Sequence, residues 1–191
     1  MIFVWYRYFG IGDFSPEQDE AKAIVSYNVT QKGNTMHQIE IPNYKTVTLE
    51  HIILDYNGTI AKDGKLKSEV KNLLPQLCER YTVHVITADT FGSVKAELKG
   101  FEVTVTVLTT NDHTQEKATY IEQLGKAESV AIGNGNNDSE MLKSAILGIA
   151  VIGDEGCATA TMLQSDITST SIEDALMLLL NEKRLVATLR R

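Results

Sequence analysis

Ile52-Ile53-Leu54-Asp55-Tyr56-Asn57-Gly58-Thr59 decides how this chain folds. The three leading residues form a short apolar run, which reads as a buried strand. Asp55 closes it. A carboxylate held at the carboxyl end of a buried strand, then a tight Asn-Gly bend and a hydroxyl, can serve as a covalent nucleophile. Aspartyl-phosphate chemistry uses that arrangement. The same letters also spell a turn, since Asn-Gly is the commonest hairpin signal. The residues downstream separate the two readings.

Beyond Asp55 the pattern becomes regular. Strands are expected over 51–55, 82–87, 102–108, 129–133, 147–152 and 166–168. Between them, helices are expected over 67–80, 91–98, 114–124, 137–145 and 155–164, with a last one from Ile172. In the first helix Val70, Leu73, Leu74, Leu77 and Cys78 share one face. A short excursion turned at Asp63-Gly64 precedes it. Strands alternating with helices predict an α/β fold, a doubly wound and mostly parallel sheet covered on both sides.

Upstream, His37-Gln38-Ile39-Glu40-Ile41 alternates, and Val47-Thr48-Leu49 follows, which suggests a small hairpin turned at Pro42-Asn43. Residues 1–35 are rich in aromatics and carry an acidic patch, Glu17, Asp19 and Glu20, without periodicity. They read as an extension outside the core, with Met36 an alternative start and 36–191 the catalytic domain.

The composition is that of an ordinary globular chain: 191 residues, 43% hydrophobic and 23% charged. A net charge of -7 argues against a general nucleic-acid binder. Local cations or a metal could still present a positive site to a phosphorylated ligand. Cys78 and Cys157 have no knuckle spacing and are expected in helices as small buried thiols. No run is long and apolar enough for a membrane span, no signal peptide is recognisable, and a cytoplasmic location is expected. His37, His51, His84 and His113 share no metal spacing. His84 reads as a structural strand residue, and His113, near Lys117, as a residue that could reach substrate.

In a parallel sheet, sites form beyond the carboxyl ends of the strands. Asp55-Tyr56-Asn57-Gly58-Thr59 ends the first strand there, and Thr87-Ala88-Asp89 the second. Lys117 lies on the helix after the third. Gly133-Asn134-Gly135-Asn136-Asn137-Asp138 ends the fourth. Each has a plain reading alone. Thr87 could cap a turn, Lys117 could be a solvated helix lysine, and the Gly-Asn run could be a turn. Together they supply a nucleophile, a hydroxyl, a cation and a carboxylate, in that order.

This set resembles the four motifs of the haloacid dehalogenase (HAD) superfamily. The nearest likeness is to the phosphorylation domain of P-type ATPases and to soluble proteins similar to it. Leu147-Gly148-Ile149-Ala150-Val151 and Ala160…Asp166-Ile167 continue the likeness, which covers roughly 51–180. The resemblance implies that Asp55 is the nucleophile and Asn57 occupies the acid–base position. It implies that Asp55, the Asn57 carbonyl, and Asp138 or Asn134 surround Mg2+. It also implies that Gly58, Thr59, Thr87, Ala88 and Lys117 bind phosphoryl oxygens. Such chemistry needs positioning and charge neutralisation above all. Magnesium favours a few hard oxygens, lysine acts as a point charge, and Gly58 would let backbone N–H groups approach.

Two positions depart from the pattern. Asn57 stands where a phosphatase has the aspartate that protonates the leaving group and activates water. Asn134 stands where the acidic loop usually begins with aspartate. The intervals from Thr59 to Thr87 and from Asp89 to Lys117 are too short for a cap domain or an inserted nucleotide-binding domain. Ion pumping is thereby excluded. The expected activity is a slow Mg2+-dependent phosphohydrolase working through Asp55. The alternative is a non-catalytic phosphate- or magnesium-responsive binding protein. Expected partners are a phosphorylated small molecule or phosphoprotein, and a second copy of the chain. Nucleic acid and membrane are not expected.

Overall fold

The computed structural model describes residues 37–88 and 93–191. The extension over 1–35, the start at Met36 and Asp89 lie outside the described residues. A hairpin comes first, β1 (His37–Ile41) paired antiparallel with β2 (Lys45–Leu49). Its turn is closed by the Tyr44 N–H donating to the Ile41 carbonyl, with Asn43 at a positive φ of 57°. Asn tolerates that conformation better than most residues.

Six parallel strands follow. They are β3 (His51–Asp55), β6 (Thr82–Thr87), β7 (Val103–Val107), β8 (Ser129–Gly133), β9 (Leu147–Val151) and β10 (Ile167–Ser169). Their order is β10-β9-β8-β3-β6-β7. The two-residue strands β4 (Ala61–Lys62) and β5 (Lys65–Leu66) form a small flap after β3, turned at Asp63-Gly64. The chain winds outward from β3 through β6 to β7, then returns to the other side of β3 for β8, β9 and β10. That reversal makes β3 the switch strand, where ligands gather in such sheets.

Alternation divides the sheet's side chains between two layers. Ile52 and Leu54 of β3 join Val83, Val85, Val130, Ile132 and Ile149 in the larger core. That core holds α1 (Ser68–Arg80), α6 (Ile172–Leu180), α7 (Glu182–Leu189) and the hairpin's Ile39, Ile41, Val47 and Leu49. Ile53 points the other way, with Ile86, Ala131 and Ala150. There it meets α3 (His113–Leu124) and α4 (Ser139–Ser144). Asp55, two residues after Ile53, falls on that second side. It therefore faces the helix that carries Lys117.

Several helix boundaries differ from expectation. The helix foreseen over 137–145 starts as a 3-10 turn, Asn136–Asp138, because Asp138 accepts backbone N–H groups from Asn134 and Gly135. The helix foreseen over 155–164 is α5, Thr159–Gln164. A tight turn at Gly153–Gly156 occupies the preceding residues, so Cys157 lies in a loop and not in a helix. The last helix breaks at Asn181, whose φ of -125° and ψ of 85° are not helical. Within 91–98, α2 spans Ser93–Glu97. Among the described residues no helix is long and apolar enough to cross a membrane.

Candidate active site

Sheet register assembles the site. Asp55 pairs with Ile86, so Thr87 lies one step beyond it on β6. Leu54 pairs with Ile132, which brings Gly133 level with Asp55 on the other flank. Three strand ends carrying polar residues thus converge at the switch point.

Lys117 completes the set. Asp112 caps α3 by accepting from the Gln115 N–H, and Lys117 follows on the inward face of the helix. It is 1% exposed, which removes the solvated-lysine reading. Its Nζ lies 2.6 Å from Asp55 Oδ1 and 2.6 Å from Asp138 Oδ1. Lysine is almost never fully buried unless paired, and here it has two carboxylates. Burial alone would lower its pKa, but Asp55 and Asp138 outweigh that and raise it. Burial pushes the Asp55 carboxyl up to about 7, and the nearby Asp138 charge adds to the effect. Lys117 and the Thr59 hydroxyl pull it back only in part.

Asp138 is fully buried and heavily committed. One oxygen accepts from Lys117. The other accepts the Asn134 N–H at 3.0 Å and the Gly135 N–H at 2.8 Å. Gly133 permits this fold-back, since a Cβ there would lie 2.5 Å from Asp138 Cγ. Asp138 therefore fixes both the loop and the lysine, with little acceptor capacity left over.

Gly58 shapes the loop that follows β3. Its N–H donates to the Ala61 carbonyl at 3.0 Å, and the Ala61 N–H donates to the Tyr56 carbonyl. Its φ of 78° suits glycine, and a Cβ would sit 2.6 Å from Asn134 Nδ2. Gly58 thus lets the loop after β3 lie directly on Asn134. Thr59 is buried, and its hydroxyl donates to Asn134 Oδ1 at 3.0 Å. Thr87 is buried at the end of β6, while Ala88 and Asn57 are exposed. His113 is half-buried.

Among the described residues, no three or more His, Cys, Asp and Glu side chains are grouped to hold a metal. The available donors are mixed: the Asp55 carboxylate, the Asn57 backbone carbonyl and the Asn134 amide oxygen. A hard-oxygen set of this kind suits magnesium, which keeps several waters, better than zinc.

Two features were missed in the sequence. Glu155 rests beside Gly58, since a Cβ on Gly58 would lie 3.0 Å from its Oε2. The expected helix at 155–164 concealed it, although Gly153 and Gly156 flanking two acids are a turn signal. His51 and His84 also touch, with His84 Nε2 3.2 Å from His51 Nδ1. Register between two predicted strands could have suggested that contact.

No family model matches the chain. An uncharacterized protein of Methanocaldococcus jannaschii is 64% identical over 61 residues, covering 32% of this chain and 66% of that one. The chain thus spans just under two thirds of that relative's length. A second uncharacterized protein of the same organism is 54% identical over 39 residues, covering 20% of this chain and 89% of that one. Among solved structures, one similar fold is 3-deoxy-D-manno-octulosonate 8-phosphate phosphatase from Moraxella catarrhalis, in complex with magnesium, phosphate and KDO. Its TM-score is 0.58 at 17% identity, covering 73% of this chain and 92% of that one. The cobalt-bound deoxy-D-mannose-octulosonate 8-phosphate phosphatase from Haemophilus influenzae gives 0.56 at 12% identity, covering 71% and 90%. A haloacid dehalogenase-like family hydrolase from Streptococcus pneumoniae gives 0.53 at 11% identity, covering 69% and 98%. The chain has the fold of the HAD superfamily phosphatases.

Proposed function

We propose that the protein is a magnesium-dependent phosphohydrolase that works through an aspartyl-phosphate on Asp55. One observation carries this reading: a fully buried lysine joins the carboxylate at the end of β3 to the carboxylate of the Gly-Asn loop. A buried ion triad adds little to stability compared with apolar packing. Its placement at the switch point of the sheet is what catalysis would require.

In this scheme Asp55 Oδ1 stays with Lys117, and Oδ2 attacks phosphorus. The new O–P bond forms as the bond to the leaving oxygen breaks. Water then attacks the phosphoryl group, regenerating the carboxylate and releasing inorganic phosphate. Magnesium, when bound through Asp55, the Asn57 carbonyl and Asn134, would offset charge on the transferring group and hold Asp55 ionised. Lys117 would neutralise a phosphoryl oxygen while Asp138 keeps it in place. Thr87 would supply a hydroxyl from the neighbouring strand. Asn57 has no titrating proton, so loss of the leaving group and entry of water rely on solvent. Turnover is therefore slow.

The motifs in sequence order favour the P-type ATPase-like version of this site, with a long-lived phosphoenzyme. The same two amides support a second reading, a phosphate- or magnesium-responsive binding protein. Phosphate release from a panel of phosphometabolites and phosphopeptides, with magnesium, separates them. The enzyme reading expects release by wild type and none by Asp55→Asn. Release by neither, with phosphate binding retained, favours the binding protein.

A further inference from the structure

We infer that Glu155 supplies the negative charge that Asn134 does not, acting on the water shell of the cation beside Asp55. This rests on the metal-dependent reading above and adds a residue to it.

The geometry is built from several contacts. Gly153 to Gly156 form a tight turn, with the Gly156 N–H donating to the Gly153 carbonyl at 3.0 Å. Its two central residues are Asp154 and Glu155. Asp154 is gripped from the flap side, with Lys62 Nζ at 3.4 Å and Lys67 Nζ at 3.6 Å. The exit of the turn is tied to Asn134 itself. Asn134 Nδ2 donates to the Gly156 carbonyl at 3.1 Å, and the Ala158 N–H donates to the Asn134 carbonyl at 2.8 Å. Lysines on one side and Asn134 on the other thus fix the turn, and Glu155 is delivered to the Gly58 backbone.

There its Oε2 and the Asn134 amide oxygen approach the same point. A Cβ on Gly58 would be 3.0 Å from the first and 2.8 Å from the second, so the two oxygens are at most about 6 Å apart. That is too loose to require shared direct coordination. It fits a carboxylate that accepts from a metal-bound water, the usual outer partner of a magnesium ion. Glu155 is exposed, and its carboxylate makes no hydrogen bond or ion pair among the described residues. The backbone of its turn is bonded in place while the charge of its side chain stays available.

Charge balance points the same way. With Asp55, Asp138 and Lys117 ionised, the buried triad carries one net negative charge, a poor match for a divalent cation. Glu155 adds a further negative charge without placing an acid at position 134, and that charge is unpaired among the described residues. Asp154 adds none, since Lys62 and Lys67 more than neutralise it.

The test is direct cation binding, independent of turnover. Mn2+ binding is followed by the spin-resonance signal of the free ion, with Mg2+ as competitor, on the folded full-length chain. Glu155→Gln should weaken Mn2+ by about ten-fold, the lower end of outer-shell effects. Glu155→Asp, which keeps the charge on a shorter stem, should weaken it less. Glu79→Gln, an exposed acid on α1, should bind as wild type does. Adding Asn134→Asp to Glu155→Gln should recover most of the loss, which a merely structural role for Glu155 would not produce. Wild-type affinity in Glu155→Gln overturns the inference while Asp55→Asn still weakens Mn2+ and the metal reading stands. Equal weakening by Glu155→Asp and Glu155→Gln also overturns it. Absence of Mn2+ binding in wild type at millimolar concentration overturns the metal reading and this inference together.

Discussion

Lys117 Nζ and Asp55 Oδ1 are 2.6 Å apart in a space almost closed to solvent, the lysine being 1% exposed. The lysine comes from α3 and the aspartate from β3, far apart in sequence. Breaking such a contact leaves an uncompensated buried charge, whereas replacing it by apolar groups often does not destabilise. The pair is therefore better explained by chemistry than by stability, and that distinction can be measured.

Asp55→Asn should abolish phosphate release, because an amide is a poor nucleophile. It should not unfold the protein. The amide oxygen introduced at position 55 would still accept from Lys117, and one of two like charges would be gone. The Asp55 carboxyl is pushed up to about 7, so ionising it costs stability that is lost as pH rises from about 4 through about 7. In chelator at pH 8, Asp55→Asn should melt at or above the wild-type temperature. A lower melting temperature would show that the Asp55 charge stabilises the fold.

Lys117→Ala should fail on both counts. Loss of a preorganised charge costs about 10²–10³ in rate. Leaving Asp55 and Asp138 buried without their cation should also destabilise by about 3–5 kcal/mol. Urea melts beside steady-state rates measure both. An unchanged kcat/KM would remove Lys117 from the reaction.

The parallel sheet was legible because its strands are short apolar runs closed by polar residues, as at Ile52-Ile53-Leu54-Asp55 and Val130-Ala131-Ile132-Gly133-Asn134. The hairpin, flap and α1 were legible from alternation, Asp63-Gly64 and the Val70–Leu74–Leu77 stripe. Lys117 was nominated by its order after the strand ends, but its burial was not, because helical periodicity does not reveal what a long side chain reaches. The Glu155 turn was misread, since Ala158–Gln164 is helix-forming and the boundary depended on Gly153 and Gly156. The Gly58 N–H bonds the Ala61 carbonyl three residues on, a loop closure that the Asn-Gly turn signal alone does not specify.

His84 carries the clearest pH dependence. It is buried, with Nδ1 3.0 Å from the Tyr120 hydroxyl and Nε2 3.2 Å from His51. Tyr120 is also bonded to Thr106, and Glu50 faces His51 at 3.6 Å. Burial, helped by His51, lowers the His84 pKa to about 3. The unfolded chain takes up this proton near 6.5, so the stabilising contribution is present above that pH. It is lost as pH falls toward 3, at about 1.4 kcal/mol per pH unit for one proton. His84→Gln should flatten the fall of stability between pH 6.5 and 4.5 relative to wild type. Parallel pH profiles for the two proteins would contradict the assignment.

Asn57 is where the site departs most from a fast phosphatase. A general acid–base group contributes about 10²–10⁴ in rate. Without one, breakdown of the Asp55 phosphoenzyme should lag behind its formation when the donor has a good leaving group. Mixing wild type with acetyl phosphate and magnesium, then quenching in acid, should trap labelled protein. Asn57 is exposed in the loop after Asp55, so a carboxylate fits there without burial. Asn57→Asp should provide a proton for the leaving oxygen and then a base for water. It would also add negative charge near the cation, as Glu155 is inferred to do. Less trapped phosphoenzyme and faster phosphate release are therefore expected, most clearly with poor leaving groups such as alkyl phosphates. If wild type traps no phosphate and Asn57→Asp turns over no faster, Asn57 does not stand at the acid–base position. The two amides would then mark a site that binds phosphate or magnesium without transferring a phosphoryl group.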